Sequence, residues 1–429
     1  MKHRHVVKEK ALLVIFRHKD AGSAGLLCAP NEELEHLARS AGAEIAGRVI
    51  HDWKGCDPAF FITQGRREAL KTQVLQEEAD FVIFDADLTP AQQRNLEDFL
   101  EMKVIDRTAL ILDIFAQRAR SREGKLQIEL AQLDYLMPRL KGRGVEMSRL
   151  GGGIGTRGPG ETQLEADRRK VKQRMQRIGR ELDHVETTRM VQRQNRVRQA
   201  VQCAALVGYT NAGKSTLLNL LAGSCVTAEN RLFSTLDPTI RKVSLGAGGS
   251  ILLSDTVGFI RDLPHQLVAA FKATLEEVRE ARLLVHVIDC TSPCAEHQAA
   301  AVDRVLEEIG ASDRETIFVL NKIDAVEDQG IVRQLARRFE PVACVSARTG
   351  QGIDKLRSLL DRWLSQRVRH MYFRLPATEK SAIERIMKSG AVFYSACDEG
   401  DVLIEVRIDQ TIAHNFKRFA VPAFRLGDH

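Results

Sequence analysis

The chain has 429 residues, of which 44% are hydrophobic and 28% charged, a balance typical of globular proteins. This length exceeds one ordinary core, so a small single-domain module is excluded and several domains are expected. No apolar run approaches the roughly 20 residues that cross a bilayer, so we expect no integral membrane segment and a cytoplasmic protein, with peripheral membrane association left open.

Residues 1–106 are predicted to form an N-terminal α/β domain. Ala11–Phe16 (ALLVIF) and Ala79–Phe84 (ADFVIF) are apolar enough for buried strands, and Asn31–Ala41 between them has helical spacing. This order of strand, helix and strand favours a parallel sheet. Asp85 and Asp87 follow the second strand, and we interpret them as turn residues at a strand end rather than as site residues.

Residues 107–199 are predicted to form a helical hairpin around a glycine-rich loop. Two runs of apolar residues recur at intervals of three, four or seven, which favours two helices packed against each other. The runs are Leu126, Leu130, Leu133 and Met137, and then Leu164, Val171, Met175, Ile178, Leu182 and Val185. Between them Gly151–Gly160 (GGGIGTRGPG) contains six glycines and a proline, a composition that forms neither a stable helix nor a stable strand.

The basic residues of the chain are concentrated in this same segment. Residues 107–200 contain 21 Lys+Arg against 11 Asp+Glu, a net charge of +10, whereas the rest of the chain carries −4. Clustered basic side chains gain affinity for nucleic acid by releasing phosphate counterions. The segment therefore indicates a polyanionic partner, although a solvated helical face stays open as the alternative.

Residues 200–366 alternate apolar strands with helices, the pattern of a doubly wound α/β domain. The predicted strands are Val201–Val207, Ile251–Ser254, Leu283–Ile288, Thr316–Leu320 and Val342–Val345. The first strand runs into Gly208–Ser215 (GYTNAGKS), which fits the phosphate-binding loop G-x-x-x-x-G-K-[ST] in its strand–loop–helix setting. Lys214 is expected to reach the β- and γ-phosphates, and Ser215 is expected to ligate Mg²⁺.

Three further motifs follow later strands in the order found in guanine-nucleotide-binding proteins. Asp255–Gly258 (DTVG) is expected to hold Mg²⁺ through water and to sense the γ-phosphate through the Gly258 amide. Asn321–Asp324 (NKID) selects the base, because a carboxylate at Asp324 accepts two N–H bonds from guanine that adenine cannot donate. Ser346–Arg348 (SAR) fits the loop that backs the guanine oxygen.

A switch loop is expected between the first two motifs, at Phe233–Thr239 (FSTLDPT). Thr235 is the predicted hydroxyl ligand of Mg²⁺ in the GTP-bound protein, and Thr239 is the competing candidate. Phe259 stands where many GTPases have a glutamine that orients the attacking water, and phenylalanine has no polar atom for that task. We therefore expect slow intrinsic hydrolysis that a partner accelerates.

Residues 367–429 are predicted to form a small C-terminal α+β domain after a basic linker at Gln366–His370. Lys380–Lys388 has helical spacing. Val392–Cys397 and Val402–Ile408 flank a turn at Asp398–Asp401, the pattern of a β-hairpin.

The chain resembles the HflX family of ribosome-associated GTPases along essentially its whole length. The most specific stretch is Arg149–Glu165, which contains GGIGTRGPGETQLE, followed by GYTNAGKS, FSTLDPT, DTVGFI, NKID and SAR. The resemblance implies binding to the large ribosomal subunit and its RNA, with the glycine loop reaching the peptidyl-transferase region. It also implies ribosome-stimulated GTP hydrolysis and the dissociation of stalled or idle ribosomes under stress such as heat shock.

The sequence thus predicts a multidomain α/β GTP hydrolase with GTP or GDP and Mg²⁺ as ligands and a monomeric state off the ribosome. Lys214, Thr235 and Gly258 are the predicted catalytic residues, and Ser215 and Thr235 the predicted metal ligands. The predicted nucleotide contacts are Gly208, Tyr209, Thr210, Asn211, Ala212, Gly213, Lys214, Ser215, Thr216, Phe233, Ser234, Thr235, Leu236, Asp237, Asp255, Thr256, Val257, Gly258, Asn321, Lys322, Ile323, Asp324, Ser346, Ala347 and Arg348. Two alternatives stay open: a GTP switch that acts only on protein partners, and an ATP-using P-loop enzyme such as a kinase.

Overall fold

The computed structural model describes residues 9–17, 30–52, 55–140, 163–198, 202–223, 233, 239–246, 249–261, 272–398 and 400–423. Within this part of the chain the strands form three separate sheets, two of four strands and one of six. Among the helices of these ranges none is long and apolar enough to cross a membrane.

The first sheet is parallel, as the sequence predicts, with strand order β2-β1-β3-β4. Helices cover its apolar strands. The helix Pro90–Leu100 begins with a capping box, in which Thr89 is the N-cap residue and Gln92 its partner. The elements are β1 (Lys10–Arg17), α1 (Pro30–Ala41), β2 (Glu44–Asp52), α2 (Gln64–Gln76), β3 (Phe81–Phe84), α3 (Pro90–Leu100) and β4 (Lys103–Ile105).

Three helices follow: α4 (Arg107–Arg118), α5 (Arg122–Leu136) and α6 (Gln163–Arg198), with a 3₁₀ turn at Met137–Leu140 after α5. Two ion pairs join α5 to α6. The Arg174 guanidinium donates two bonds of 2.6 Å to Glu129, and Arg122 lies 3.0 Å from Glu181. The earlier residue of α5 meets the later residue of α6, so the helices are antiparallel and the predicted helical hairpin is confirmed in its described part. Gly151–Gly160 lies outside the described residues.

The six-stranded sheet has the order β10-β9-β8-β5-β7-β6 and is parallel except for β6, which pairs antiparallel with β7. Helices cover both faces over two buried cores, which confirms the doubly wound fold. The elements are β5 (Cys203–Gly208), α7 (Lys214–Ala222), β6 (Thr239–Ser244), β7 (Ser250–Asp255), α8 (Lys272–Glu280), β8 (Leu283–Asp289), α9 (Ala295–Glu308), β9 (Glu315–Asn321), α10 (Gln329–Ala336), β10 (Val342–Cys344) and α11 (Ile353–Ser365), with a 3₁₀ turn at Ile323–Ala325.

The third sheet is antiparallel, with order β12-β13-β11-β14. Its elements are β11 (Val368–Pro376), α12 (Lys380–Ser389), β12 (Gly390–Asp398), β13 (Asp401–Asp409), α13 (Gln410–Asn415), a 3₁₀ turn at Lys417–Phe419 and β14 (Ala420–Val421). The predicted helix and hairpin are confirmed. The predicted linker at Gln366–His370 is wrong in its second half, because Val368 already pairs with Asp409 in the sheet.

Asp409 attaches this last unit to the six-stranded sheet. Its buried carboxylate accepts bonds from Gln202 (2.7 Å) and Arg282 (3.0 Å). Gln202 and Arg282 directly precede β5 and β8, so the attachment is at the amino edge of the sheet. The carboxyl edge is where the predicted motifs lie.

Candidate functional site

The predicted motifs follow the carboxyl ends of neighbouring parallel strands. Gly208–Ser215 connects β5 to α7, Asp255 ends β7, Asn321 ends β9, and Ser346–Arg348 follows β10. Because these strands are parallel, their carboxyl ends share one edge of the sheet, where α/β folds bind their ligands. The sheet therefore brings together motifs that are far apart in the sequence.

The phosphate-loop backbone has a shape that two glycines make possible. Gly208 has φ +148° and Gly213 has φ +95°, conformations that other residues rarely adopt. A Cβ at Gly208 would lie 2.3 Å from the carbonyl oxygen of Val287, and one at Gly213 would lie 2.2 Å from Nδ2 of Asn321. The loop therefore lies directly against β8 and the base motif, with no room for a side chain at either position.

Lys214 and Ser215 lie at the start of α7 and face the loop. The buried Lys214 ammonium donates to the carbonyl oxygens of Gly208 and Tyr209, both at 2.9 Å. Burial lowers the pKa of Lys214 to about 8, although the Asp255 carboxylate opposes the shift. The Ser215 hydroxyl donates to Asp255 at 2.5 Å. A cation is thus held where phosphates would meet the helix N-terminus.

If Lys214 binds phosphate as the sequence predicts, its lowered pKa is expected to make nucleotide affinity depend on pH. Phosphates would bind the charged ammonium, so affinity is expected to fall above the free-protein pKa, by up to about tenfold per unit between about pH 8 and pH 9. Titration calorimetry with GDP across this range measures the slope. Replacing Lys214 with arginine, which stays charged, should flatten the slope even if binding is weaker overall. An unchanged affinity from pH 7 to pH 9 in the wild-type protein would contradict this assignment.

The segment after Asp255 pairs with the phosphate loop. The Phe259 amide donates to the Gly208 carbonyl (3.1 Å), and the Thr210 amide donates to the Phe259 carbonyl (2.8 Å). A Cβ at Gly258 would lie 3.1 Å from Nζ of Lys214, so this glycine lies close to the ammonium. Val257 and Thr256 are buried beside it, and the Thr256 hydroxyl donates to the Leu206 carbonyl.

Phe259, the residue that follows the DTVG motif, is buried in the hydrophobic core. It belongs to the cluster that contains Phe233, Ile260 and residues of α4. The Phe233 ring lies 4.4 Å from that of Phe115 on α4. Ser234, Thr235, Leu236 and Asp237 lie outside the described residues. Thr239, the competing metal ligand, begins β6 and pairs with Asp255 across the ladder.

The base motif is linked to both neighbouring loops. The side-chain Nδ2 of Asn321 donates to the Ala212 carbonyl (2.7 Å), and its Oδ1 accepts from the backbone amide of Ala347 (2.9 Å). Lys322 has φ +64° and its ammonium lies 2.6 Å from Asp289. The motif thus joins the phosphate loop to Ser346–Arg348.

Asp324 follows Ile323 in the 3₁₀ turn and presents a carboxylate of which 13% is exposed. Arg348 lies 2.6 Å from its Oδ2 atom, and the Ser346 hydroxyl forms a hydrogen bond to the same carboxylate. The Ser346 bond and then the charge of Arg348 hold the pKa of Asp324 below its ordinary value. An ionised carboxylate here can accept two parallel N–H bonds from a base.

A buried charged cluster that the sequence does not predict reaches the phosphate loop from the four-stranded parallel sheet and its helices. Arg107 of α4 ion-pairs with Glu33 and with Asp85 (2.6 Å), and the Tyr209 hydroxyl donates to Glu33. The backbone amide of Arg261 donates a hydrogen bond to the Tyr209 hydroxyl oxygen (2.9 Å), and the Arg261 guanidinium lies 3.0 Å from the Asp85 carboxylate. Asp85 is therefore a buried ion-pair residue as well as a strand-end residue. The only sequence signal is a pair of aspartates after an apolar strand.

Burial alone would raise the pKa of Glu33, but the charges of Arg107 and Arg261 hold it below its ordinary value. The same cluster raises the pKa of Tyr209, first by burial and then by the Glu33 charge. The carboxylate therefore stays charged and the phenol protonated near neutral pH, so the hydrogen bond between them persists.

The described residues contain no group of three or more His, Cys, Asp or Glu side chains that could hold a metal. The Ser215 hydroxyl and the Asp255 carboxylate nevertheless form a pair of hard oxygen donors beside the phosphate loop. Mg²⁺ prefers such oxygens and commonly completes its shell with water and substrate phosphates. The donor chemistry therefore fits Mg²⁺ bound together with a nucleotide.

Comparison with known proteins gives matches along most of the chain. Family models described as GTP-binding GTPase N-terminal, GTP-binding GTPase Middle Region and 50S ribosome-binding GTPase match residues 29–116, 118–196 and 203–322. The GTPase HflX of Caldanaerobacter subterraneus is 44% identical over 416 residues, 96% of this chain and 94% of its own. The GTPase HflX of Escherichia coli K12 is 45% identical and covers 94% of this chain and 95% of its own.

A solved structure of a GTP-binding protein from Sulfolobus solfataricus in complex with GDP is also similar. It has 27% sequence identity and a TM-score of 0.42, over 83% of this chain and 99% of that one.

Proposed function

The chain belongs to the HflX family of GTPases and is a GTP-hydrolysing enzyme with a ribosome-binding GTPase domain. From this premise we propose that it binds the large ribosomal subunit and dissociates stalled or idle ribosomes under stress. The observation that carries the proposal is the exposed basic surface of α6, which the chain combines with the motifs at the carboxyl edge of the six-stranded sheet. A cytoplasmic site of action follows from the ribosomal partner.

In this proposal the nucleotide lies along the carboxyl edge of the six-stranded sheet. The loop Gly208–Thr216 surrounds the phosphates, Asp324 and Ser346–Arg348 hold the guanine, and Lys214 and the Gly258 amide contact the γ-phosphate. Ser215 and Thr235 would hold Mg²⁺, with Asp255 behind them through water. When bound, the metal would neutralise phosphate charge.

The basic helix supports an RNA partner. Ile178 of α6 is fully buried on the side that packs against α5, whereas five basic side chains are exposed among those of α6 that the structure describes. These are Arg169, Lys170, Lys172, Arg177 and Arg180. A rigid helix that presents several cations in a row suits contact with successive phosphates, and arginine adds planar stacking. The glycine loop that joins α5 to α6 would then be the part that approaches ribosomal RNA most closely.

We also propose four domains that divide this work, at residues 1–106, 107–199, 200–366 and 367–429. The three separate sheets and the intervening helices support this division. The protein is proposed to act as a monomer off the ribosome.

Partner-dependent hydrolysis follows from the burial of Phe259. An apolar side chain in the core cannot orient water, so the missing polar group or the ordering of the switch loops must come from the bound ribosome. Turnover of GTP by the purified chain is expected to rise at least about 100-fold when large subunits are added. Equal turnover with and without subunits would favour a GTP switch that acts on other protein partners.

The exposed cations of α6 allow a direct test of the RNA contact. For binding to the large subunit, log affinity falls as log salt rises. Replacing Arg169, Lys170 and Lys172 with alanine is expected to make this negative slope less steep by about 2–3. Binding by sedimentation at several salt concentrations gives the slope. The control variant replaces Lys380, Arg385 and Lys388, which are exposed on α12, with alanine.

The control should retain the wild-type slope, and both triple variants should bind GDP normally, because neither set touches the nucleotide edge. An unchanged slope in the α6 variant would contradict the proposed RNA contact. Sedimentation of intact ribosomes with the protein and a non-hydrolysable GTP analogue reports dissociation in the same assay.

A further inference from the structure

The antiparallel sheet at the end of the chain has a topology in which helices pack on one face. Its elements follow the order β11-α12-β12-β13-α13-β14, and neighbouring strands are antiparallel, with β13 and β11 in the centre. This is the split βαβ arrangement. Phe373 of β11, Ile404 of β13, Ile386 of α12 and Ala413 of α13 belong to one buried core. The strand residues that alternate with this core therefore lie on the opposite face, which we call the open face.

Three stacked rings lie on the open face. His370 and Tyr372 alternate with the buried Phe373 along β11, and their ring centroids are 5.2 Å apart at an angle of 16°. The Phe393 ring of β12 stacks on the same imidazole, also at 5.2 Å and at an angle of 24°. About half of Phe393 (51%) and of the His370 side chain (48%) is exposed. The rings thus form a solvent-accessible row that crosses β13.

A β-bulge brings Phe393 to this face. The register of β12 against β13 passes from Val392↔Val406 to Tyr394↔Glu405, so Phe393 is the extra residue of the bulge. In a regular strand Phe393 and Tyr394 would point to opposite faces. Because a bulge re-aims a side chain, two consecutive aromatic residues can share the open face.

The charged groups around the rings leave the centre of the face free of exposed negative charge. Glu405, the carboxylate in the centre, lies 2.8 Å from Nε2 of His370, and only 19% of its side chain is exposed. Arg407 lies opposite His370 in the ladder. Arg374 lies two residues beyond Tyr372, is 44% exposed and also bonds to carboxylates of the adjoining hairpin turn. An arginine therefore lies beside each end of the His370–Tyr372 pair.

Flat rings with arginines beside them suit unpaired nucleobases. Every base has a π-face, so stacking on an aromatic ring tolerates any sequence, and arginine adds phosphate contacts and stacking of its own. In RNA-recognition motifs, bases stack on aromatic residues of a four-stranded sheet. Topology alone identifies no ligand, whereas exposed rings stacked in a row do indicate one.

We propose that the open face binds single-stranded RNA, with unpaired bases stacked on Phe393 and on the His370–Tyr372 pair. The choice of RNA rests on the proposed function, since a ribosomal partner supplies unpaired nucleotides. This contact differs in chemistry from that of α6, because α6 binds phosphate charge whereas the open face binds bases.

Two probes separate base stacking from phosphate binding. One is a fluorescent oligoadenylate of about ten nucleotides, and the other is an abasic oligomer with the same sugar–phosphate backbone. Fluorescence anisotropy with the full chain is expected to show at least about fivefold tighter binding of the oligoadenylate. Phe393→Leu should lose most of this preference, whereas Phe393→Trp, which keeps a flat ring, should retain it.

The controls distinguish loss of stacking from loss of fold or charge. Leu75→Ala removes an exposed apolar side chain on α2, 74% exposed, and should keep the preference. The α6 variant that lacks Arg169, Lys170 and Lys172 should bind both probes more weakly but with an unchanged ratio. Thermal melting and GTP turnover without ribosomes should be the same in Phe393→Leu as in the wild type, because this sheet is attached at the edge opposite the motifs.

Equal binding of the two probes by the wild-type chain would overturn the inference, and so would an unchanged preference in Phe393→Leu. If that variant kept the preference but bound large subunits more weakly, the open face would contact a ribosomal protein and the RNA inference would be wrong. If the wild-type chain preferred the oligoadenylate but did not bind large subunits, the proposed function would fail while base stacking on this face would stand.

Discussion

Replacing Asp324 with asparagine is expected to weaken GTP binding at least about 100-fold and to create binding of xanthosine triphosphate. Each hydrogen bond to a charged group contributes about 1.5–3 kcal/mol, and the substitution removes one of the two and leaves the other to a neutral amide oxygen. The new amide also points an N–H donor at the amino group of guanine. Xanthine has a carbonyl oxygen at that position, so the altered pair becomes complementary again.

The expected switch depends on where the carboxylate lies. The Asp324 side chain is mostly buried. It follows Lys322, whose backbone has φ +64°, and Asn321 of the same motif is hydrogen-bonded to the phosphate loop. Asparagine has almost the same shape, so the variant should fold and keep the phosphate contacts. The change should therefore appear as altered base preference and not as general loss of binding.

Competition of GTP, XTP and ATP for a fluorescent GDP analogue measures the preference. Arg348→Ala is the matched control, because it removes the partner of Asp324 but leaves both carboxylate oxygens. That variant should still prefer GTP over XTP. If Asp324→Asn bound GTP as the wild type does, the base would not be read by this residue. Binding of ATP by the wild-type chain would support a kinase-like enzyme instead.

The parts of this site that could be predicted from the sequence are those encoded in short contiguous segments. The loop around Lys214 combines glycines, a lysine and a serine whose spacing alone determines how phosphate can be surrounded. The apolar strands that precede each motif, such as Ala11–Phe16 or Leu283–Ile288, are visible for the same reason. Because strands that alternate with helices form a parallel sheet, the motifs that follow these strands are expected at one edge of that sheet.

The parts that could not be predicted depend on contacts between distant residues. Arg107 meets Glu33 across 74 positions, and Tyr209 meets Glu33 across 176. No local pattern indicates such pairs, and a lone charged residue near a strand end resembles a turn. β6 (Thr239–Ser244) is too polar to read as a strand, and it forms because its backbone pairs with the edge of β7.

Arg107 is expected to be the most important single charge for the stability of the four-stranded parallel sheet with its helices, and for the contact of these elements with the phosphate loop. Its side chain is 3% exposed and that of Asp85 is 1% exposed. Replacing Arg107 with alanine leaves Asp85 and Glu33 with one partner fewer in a buried setting. Breaking a buried pair in this way costs about 3–5 kcal/mol. The same arginine also donates to the Arg261 carbonyl at 3.1 Å, so the damage should reach the segment after Gly258.

The effect should be measurable as a fall of about 6–20 °C in the melting temperature of the unit that contains α4. Calorimetry of the full chain shows the transition, and hydrogen exchange assigns it, with faster exchange expected in α4 and β3. The matched control is Arg122→Ala on α5, whose partner is Glu181 and whose side chain is 81% exposed. An exposed pair of this kind contributes at most about 1 kcal/mol, so the control should melt close to the wild type.

Acid should reproduce the effect of Arg107→Ala in the wild-type chain. Glu33 has a folded-state pKa below its ordinary value, so its contribution is present above the unfolded-state pKa. That contribution is lost as the pH falls through the lowered value and the carboxylate takes up a proton. In Arg107→Ala much of this dependence should be gone, because the larger of the two charges that lower the pKa of Glu33 is absent and only that of Arg261 remains. If the melting temperatures of the variant and the wild-type chain fell in parallel on acidification, Arg107 would not be what keeps Glu33 ionised.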